Sequence, residues 1–307
     1  MKILVILASY NGEKYIEHQV KSIIEQRDVK IDLKIYDDNS KDNTKIIIDR
    51  LKFINNNITF VQNLKNSGSA ATNFLNALSK NEPYLNDYDF VAFSDQDDVW
   101  HEEKLVNATK KIIEKDKSLY CSNLYLWDEK LSKKSILRKD YSQVSFDFLF
   151  EGGSAGCTYV FTKKLAKIVI DKYAKINVES WKGFSHDWFV YFLARSNNLG
   201  VYIDSNSYID YRIHTDNVHG HLNKINLSSL FERFRMVNDG WYHNHAKNYI
   251  NLLDNSNNKE LNIYNFFLSN YFSRNFMIIK RNFSLIRDKK KFFVFLLFNL
   301  FNFKKNV

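Results

Sequence analysis

Three carboxylates lie within four residues in the segment Ser94-Asp95-Gln96-Asp97-Asp98, which follows a short apolar run. If the segment continues an extended strand, Asp95 and Asp97 point the same way, and burying like charges without partners is costly. A divalent cation removes this conflict, because Mg²⁺ and Mn²⁺ prefer oxygen ligands and often combine carboxylates with phosphate oxygens. The alternative is a solvated acidic turn in which Asp98 caps the next helix.

Two later segments contain further polar side chains that could take part in binding or catalysis. The motif SHDW precedes the amphipathic stretch 189–194, and Asp187 would lie in the first turn of that helix, where the helix dipole stabilises a carboxylate. Such a carboxylate could act as a general base or could merely cap the helix. Arg212 and His214 combine a cation with an imidazole, which could contact a diphosphate or complete a metal site, although a single histidine is more often structural.

The elements that must position these residues follow from the hydrophobic pattern. Continuous apolar runs predict parallel strands covered on both faces, and apolar residues at helical spacing predict the helices between them. The predicted strands are 2–8, 31–36, 58–62 and 90–93, and the predicted helices are 13–26, 42–55 and 70–79. The resulting order β-α-β-α-β-α-β predicts an α/β sheet of Rossmann type.

Polar clusters follow the predicted strands at their carboxyl ends, where such sheets bind ligands. Ser9-Tyr10-Asn11 follows the first strand, Asp37-Asp38 follows the second, and the acidic segment follows the fourth. The first strand is not followed by GxGxxG, and GxxxxGK[ST] does not occur, which disfavours dinucleotide and P-loop chemistry. A bound metal ion would then neutralise the negative charge of a phosphate ligand.

The net charge of +9 on 307 residues raises the question of nucleic-acid binding. Residues 1–229 carry 31 basic and 30 acidic side chains, a net of +1, whereas residues 230–307 carry 13 and 5, a net of +8. No recognised nucleic-acid motif accompanies this charge, so we expect no nucleic-acid partner. The two cysteines cannot form a disulfide framework and fit a reducing compartment.

The C-terminal quarter ends in KKKFFVFLLFNLFNFKK, and helical spacing also predicts helices over 227–242 and 264–279. The apolar run 292–301 is too short to span a bilayer, which takes about 20 residues. Its flanking lysines indicate that segment 289–305 lies in a membrane interface, and the alternative is a helix docked on the protein core. The N-terminal apolar run is too short for a signal peptide. We therefore expect a cytoplasmic protein, peripheral on the inner face of the cell membrane.

Seven motifs occur in an order that resembles glycosyltransferase family 2. They are ASYNG (8–12), DDNS with DNT (37–44), NSG (66–68), SDQDDVW (94–100), GCT (156–158), HDW (186–188) and YRIHTDNVHG (211–220). The resemblance is strongest with bacterial rhamnosyltransferase-like members. It implies a GT-A fold, that is, a Rossmann-like mixed α/β sheet flanked by helices, over residues 1–222. Residues 223–307 then form a basic, aromatic, helical C-terminal region.

The resemblance also implies a role for each matching residue. The expected nucleotide-sugar-binding residues are Ser9, Tyr10, Asp38, Asn66, Gly68, Asp95 and Arg212, and the expected metal ligands are Asp97 and His214. The expected catalytic base is Asp187, and the residues bordering the acceptor and the donor sugar are Gly156, Cys157 and Trp188. The sequence departs from the common pattern at Asn39, where many members have glycine, and at Ile213, where glutamine is common.

The activity implied is that of an inverting glycosyltransferase of the hexosyltransferase class, dependent on Mn²⁺ or Mg²⁺. It would move a sugar, with rhamnose as the first expectation, from dTDP-rhamnose or a UDP-sugar to a glycan or lipid-linked acceptor. The pathway implied is bacterial surface polysaccharide synthesis in the cell envelope. Two alternatives are a non-catalytic nucleotide-sugar-binding or scaffold subunit, which the presence of Asp97 and Asp187 disfavours, and a nucleotidyltransferase. The latter would need a Gly-rich basic loop that residues 9–15 lack.

Overall fold

The computed structural model describes residues 1–214, 227–254 and 256–302, with the backbone alone over 227–230. The chain divides into two compact units. Unit 1 comprises residues 1–140, 153–174 and 185–214, and unit 2 comprises residues 141–152, 175–184 and 215–307. The predicted domain boundary at residue 222 lies outside the described residues. A single boundary also cannot assign the two internal segments, 141–152 and 175–184, to unit 2.

Unit 1 contains a nine-stranded mixed sheet within its described residues. The strands are β1 (Lys2–Ser9), β2 (Lys30–Asp37), β3 (Ile58–Gln62), β4 (Phe90–Ser94), β5 (Val99–Trp100), β6 (Leu119–Asp128), β7 (Lys133–Leu137), β8 (Val160–Thr162) and β9 (Val201–Arg212). Their spatial order is β3-β2-β1-β4-β8-β6-β9-β5, and β7 pairs with β6. The first four in this order are parallel, whereas β8 is antiparallel to both of its neighbours. The predicted α/β sheet is therefore confirmed.

The helices of unit 1 cover this sheet. They are α1 (Ile16–Ile24), α2 (Thr44–Ile54), α3 (Ala70–Lys80), α4 (Lys104–Glu114), α5 (Lys163–Tyr173) and α6 (His186–Ser196). The residues of β1 from Ile3 to Leu7 have no exposed surface, as expected for a strand covered on both faces. The prediction that 189–194 is amphipathic is wrong, because every residue from Trp188 to Ala194 is buried.

The described C-terminal part of unit 2 is mainly helical, which confirms the predicted helical C-terminal region. Its helices are α7 (Leu227–Asn238), α8 (Trp241–Tyr249), α9 (Asn258–Leu268), α10 (Tyr271–Arg281) and α11 (Lys289–Leu300). The predicted helix 227–242 is interrupted at Gly240, whose φ of 84° lies in the left-handed region that glycine favours. The predicted helix 264–279 is also interrupted, because Asn270 accepts a hydrogen bond from the Ser273 amide and caps a new helix. No described helix is long and apolar enough to span a bilayer.

The two internal segments of unit 2 bond directly to its helices. The Tyr264 hydroxyl donates to the Leu149 carbonyl at 2.9 Å, and the Trp181 indole donates to His245 Nδ1 at 2.7 Å. These contacts join residues that are at least 64 positions apart, which hydrophobic periodicity does not reveal.

Candidate active site

Polar loops meet at the carboxyl ends of β1, β2 and β4. The Ser9 hydroxyl donates to Asp37 Oδ1 at 3.0 Å, and the Asp38 amide donates to the Ser9 carbonyl at 2.7 Å. On the other side of β1, the Gln96 side chain bonds both the amide and the carbonyl of Tyr10, at 2.8 and 3.0 Å. The polar clusters that the sequence places after three strands are therefore joined by hydrogen bonds.

Asp37 organises the loop after β2. It is fully buried and accepts hydrogen bonds from the Ser40 amide at 2.9 Å and from the hydroxyls of Ser9 and Ser40. Ser9 is itself buried, so its hydroxyl serves this turn rather than an open pocket. The turn needs a positive φ at Asn39, which is 65°, and asparagine tolerates this region better than most residues that carry a side chain.

Asp38 draws the loop after β3 toward the same edge. Its carboxylate accepts from the Ser67 amide at 2.8 Å and from the Ser67 hydroxyl at 2.9 Å. Asn66 links the two loops: its amide nitrogen donates to the Asp38 carbonyl at 3.3 Å, and its Oδ1 accepts from the Gly68 amide at 2.8 Å. Three of the expected nucleotide-binding residues, Asp38, Asn66 and Gly68, are thus brought together. The side chain of Tyr10, a fourth, is about half exposed.

The acidic segment after β4 forms a compact group with Cys157. Ligand atoms of Asp95, Asp98 and Cys157 all lie within 4.8 Å of one another. Burial, together with the charges of Asp97 and Asp187, raises the pKa of Asp95 to about 7. Burial and the neighbouring carboxylates also raise the pKa of Asp98 well above its usual range. The alternative of Asp98 as a helix cap is wrong, because Asp98 is buried and α4 begins only at Lys104.

Lys104 is a buried lysine that belongs to none of the sequence motifs. Only 1% of the residue is exposed, and its Nζ lies 3.7 Å from the centroid of the Trp100 ring. Burial lowers its pKa to about 7, while the charges of Cys157 and Asp98 act in the opposite direction. The sequence offers one signal for this contact: Lys104 lies four residues after Trp100 and close to the acidic segment. The acidic group therefore has beside it a buried amine that gives up its proton more readily than an ordinary lysine.

Asp97 is held by two residues from the end of β9 and the loop that follows. His214 Nε2 lies 2.7 Å from Asp97 Oδ2, and Arg212 Nε donates to the Asp97 carbonyl at 3.1 Å. The Arg212 guanidinium lies 4.7 Å from the Tyr15 ring centroid and 4.3 Å from that of Trp127. Arg212 is 1% exposed and also pairs with Glu129. This differs from the expected direct contact with the donor, because the guanidinium is enclosed by protein.

The first turn of α6 carries Asp187. The Ser185 hydroxyl and the Trp188 amide both donate to Asp187 Oδ1, which fixes that oxygen. The charge of Asp187 also contributes to the raised pKa of Asp95. Trp188 is buried, so it supports this turn from within rather than exposing its ring to a ligand.

Gly156 and Cys157 pack behind this turn. The His186 ring lies 4.5 Å from the ring of Phe74, and a Cβ at position 156 would lie 2.1 Å from His186 Nε2. Only glycine therefore fits at 156 without displacing the imidazole. Cys157 is fully buried, and burial raises the pKa of its thiol well above the usual range, so it stays a neutral thiol.

Sequence comparisons identify the family of the chain. Residues 4–190 match the family model Glycosyl transferase family 2. The chain is 35% identical over 249 residues to the dTDP-rhamnosyl transferase RfbG of Shigella flexneri, which covers 80% of this chain and 84% of that protein. It is 27% identical over 160 residues to an Escherichia coli protein, the UDP-Glc:alpha-D-GlcNAc-diphosphoundecaprenol beta-1,3-glucosyltransferase WfgD, covering 52% of this chain and 58% of that one.

Solved structures establish the fold type. The crystal structure of S. aureus TarS 1–349 in complex with UDP superimposes with a TM-score of 0.57 at 19% identity, covering 93% of this chain and 72% of that one. The same TarS segment in complex with UDP-GlcNAc gives a TM-score of 0.58, covering 94% of this chain and 74% of that one. The predicted GT-A fold is therefore confirmed. With its family model and its RfbG-like sequence, the chain belongs to glycosyltransferase family 2 and is a nucleotide-sugar glycosyltransferase.

Proposed function

We propose that the chain is an inverting, metal-dependent glycosyltransferase that transfers rhamnose from dTDP-rhamnose during bacterial surface polysaccharide synthesis. The observation that carries this proposal is geometric. Hydrogen bonds join both the Asp37–Asp38 loop and the acidic segment to the end of β1. The ring of His186, which precedes Asp187, lies 5.6 Å from the ring of Phe93 in β4, the strand that leads into the acidic segment. Such a grouping can hold a nucleotide diphosphate on one side and an acceptor hydroxyl on the other.

Donor binding is assigned to the loops at the strand ends. Asp38 and the Asn66–Gly68 loop would hold the base, and the half-exposed ring of Tyr10 offers a face for stacking. Asp95 would face the ribose or the sugar. Ser9 and Arg212 act as positioning residues, because Ser9 orients the turn at Asp37 and Arg212 holds the backbone of Asp97.

Mn²⁺ or Mg²⁺ is assigned to Asp97 and His214. Asp97 Oδ2 and His214 Nε2 are hydrogen-bonded at 2.7 Å, so an ion would bind by replacing that hydrogen bond. The carboxylate oxygen suits either ion, whereas the imidazole nitrogen favours Mn²⁺ over the harder Mg²⁺. The neighbouring group of Asp95, Asp98 and Cys157 fits less well, because it contains a neutral thiol and the Lys104 amine lies beside it. When bound, the metal supplies positive charge where the nucleotide diphosphate departs.

Asp187 is the proposed catalytic base. It would accept the proton of the acceptor hydroxyl as that oxygen bonds to the anomeric carbon and the bond to the diphosphate breaks, through an oxocarbenium-like state. The Ser185 hydroxyl and the Trp188 amide occupy Oδ1, so Oδ2 is the oxygen assigned to the proton. Attack from the face opposite the leaving group inverts the configuration.

The substrates are proposed from the relatives. RfbG is named a dTDP-rhamnosyl transferase, and the name of WfgD specifies a diphosphoundecaprenol-linked acceptor. We assign this chain a dTDP-rhamnose donor, with UDP-sugars second, and a lipid-linked or glycan acceptor. Its place would be the cytoplasmic face of the cell membrane, with contact through segment 289–305. Lys304 and Lys305 of that segment lie outside the described residues.

A donor screen tests the proposal. The purified full chain is incubated with dTDP-rhamnose, UDP-glucose and UDP-N-acetylglucosamine, each with Mn²⁺, Mg²⁺ or EDTA, and released nucleoside diphosphate is measured. We expect the fastest release from dTDP-rhamnose with metal and little release in EDTA. Preference for a UDP-sugar would overturn the donor assignment, and full activity in EDTA would overturn the metal assignment. No release from any donor, even with an acceptor glycan present, would contradict the proposed reaction.

A further inference from the structure

Helix α10 buries two polar side chains as well as two apolar ones, while three large apolar side chains stay exposed. It buries Arg274 and Asn275, yet it leaves Phe272, Phe276 and Ile279 exposed at 81%, 62% and 58%. These three residues, spaced four and three apart, lie on one face of the helix. A stripe of large exposed apolar residues beside buried polar ones marks a surface that contacts something apolar.

Helix α11 repeats the feature. It buries Phe292 and Phe295 within unit 2, while Phe293 and Leu297 remain about half exposed, as does Phe301 just after the helix. The four-residue spacing again places the exposed side chains on one face. One face of α11 is therefore docked, as one of the two alternatives for this segment expects, and the other face is uncovered.

The two helices form an antiparallel hairpin. The Tyr271 hydroxyl at the start of α10 donates to the Leu300 carbonyl at the end of α11, at 2.9 Å. Arg274 donates to the Asn299 carbonyl at 3.3 Å, which fixes the same end. The other end of the hairpin therefore joins the end of α10 to the start of α11.

That other end is strongly cationic. It carries Lys280 and Arg281 at the end of α10 and the exposed Lys289, Lys290 and Lys291 at the start of α11. Apolar stripes beside clustered cations match the chemistry of an anionic bilayer, which offers acyl chains and negative headgroups together. A second copy of this chain would present the same positive charge and would be repelled.

We infer that the α10–α11 hairpin lies on an anionic lipid bilayer, with its aromatic stripes at the acyl boundary and its cationic end among the headgroups. This deepens the membrane contact included in the proposed function, since it assigns that contact to two helices rather than to segment 289–305 alone. Vesicle binding does not require sugar transfer. The chain could therefore transfer sugar without binding vesicles, or bind vesicles without transferring sugar, and the two experiments tell these cases apart.

Co-sedimentation of the full chain with phosphatidylcholine vesicles, with and without phosphatidylglycerol, tests the inference. We expect binding to the anionic vesicles that weakens at high salt. Phe276→Ser with Ile279→Ser should remove most of it, whereas the matched pair Phe53→Ser with Ile54→Ser, exposed at the end of α2, should not. Each lysine near an anionic surface contributes about fivefold. Lys289→Gln with Lys290→Gln and Lys291→Gln should therefore weaken binding by up to about a hundredfold.

The charge control is Lys163→Gln with Lys164→Gln and Lys167→Gln, which removes three exposed lysines of α5 and should leave binding unchanged. Light scattering of the wild type and of each variant shows whether the exposed stripes bind a second copy of this chain instead. The inference is overturned if the wild-type chain ignores anionic vesicles, or if the α10 variant binds them as well as wild type. It is also overturned if wild type is a dimer that the α10 substitutions dissociate without any effect on vesicle binding.

Discussion

The backbone of Gly156 lies directly against the imidazole of His186, so that a methyl group at position 156 would come 2.1 Å from Nε2. His186 immediately precedes Asp187 in the first turn of α6. We therefore expect Gly156→Ala to push the imidazole aside, move the Asp187 carboxylate and lower turnover at least about tenfold. Overpacking should also cost about 1–3 kcal/mol of stability, which thermal unfolding measures.

A second substitution separates steric displacement from other effects at Gly156. His186→Ala removes the clashing ring, so the double variant Gly156→Ala/His186→Ala should regain stability relative to Gly156→Ala alone. Additive losses in the double variant would show that the contact with His186 is not the reason for the glycine.

Substitution of the proposed base should separate chemistry from binding. Asp187→Asn keeps the shape of the side chain but cannot accept the proton, so we expect turnover to fall by about 10²–10⁴. Nucleoside diphosphate affinity, measured by calorimetry, should stay close to that of wild type. Asp49→Asn, at an exposed carboxylate of α2, is the matched control and should change neither quantity. Near-normal turnover of the Asp187 variant would refute the assignment.

The metal assignment predicts that dTDP binding depends on Mn²⁺, which calorimetry can measure without any catalysis. Asp97→Ala and His214→Ala should each weaken dTDP binding in the presence of Mn²⁺, because each removes a proposed ligand. In EDTA, the variants and wild type should bind dTDP about equally weakly. An unchanged affinity of both variants in Mn²⁺ would place the cation elsewhere, and the group of Asp95, Asp98 and Cys157 would be the next candidate.

Arg212 is expected to act on ligand binding through Asp97. A lysine at this position keeps the charge but loses the planar group that lies near the Tyr15 and Trp127 rings and donates to the Asp97 carbonyl. We expect Arg212→Lys to weaken metal-dependent dTDP binding about tenfold, while the residual binding in EDTA stays unchanged. Arg27→Lys, at an exposed ion pair with Glu102, should have no effect. Equal losses with and without metal would indicate a direct contact with the donor instead.

Stability should rise with pH between about 3 and 6.5 because of His245. Burial lowers the pKa of His245 to about 3, and its Nδ1 accepts a hydrogen bond from the Trp181 indole. In the unfolded chain this imidazole titrates near its ordinary pKa of about 6.5, so the unfolded state binds more protons across this window. Acidification below pH about 6.5 should therefore cost up to about 1.4 kcal/mol per pH unit from this group.

Denaturant unfolding of wild type and His245→Gln at several pH values measures this contribution. Glutamine can accept the Trp181 hydrogen bond but does not titrate, so the variant should lose stability less steeply on acidification. His18→Gln, at an exposed position of α1, should keep the wild-type slope. If His245→Gln also keeps the wild-type slope, buried His245 is not the source of the acid sensitivity.

Most of the sheet edge was predictable, because its causes are local. The apolar run of β1 and the polar residues at its end are visible in the sequence. Asp38 directly follows β2, and Asp97 comes three residues after the end of β4. The burial of Asp98 beside Lys104 was not predictable, since both charges look solvated in the sequence and are enclosed only by tertiary packing. The enclosure of Arg212 by two aromatic rings likewise depends on residues far apart in the chain.

The helical region was less predictable for a related reason. Periodicity identifies an apolar stripe but does not say which face the protein covers, and α10 buries Arg274 while exposing Phe276. The breaks at Gly240 and Asn270 depend on a backbone conformation and a cap, which the apolar pattern spans without interruption.

Unit 2 is assembled from three separate stretches of chain, and bonds such as Leu149 to Tyr264 and Trp181 to His245 cross between them. Its helices therefore cannot be exchanged as an independent module. A chimaera that carries residues 223–307 onto another enzyme would transfer α7 to α11 without the two strips that complete their packing. A functional graft must move residues 141–152 and 175–184 together with the helices, so recombination at a single point is a poor way to redesign this protein.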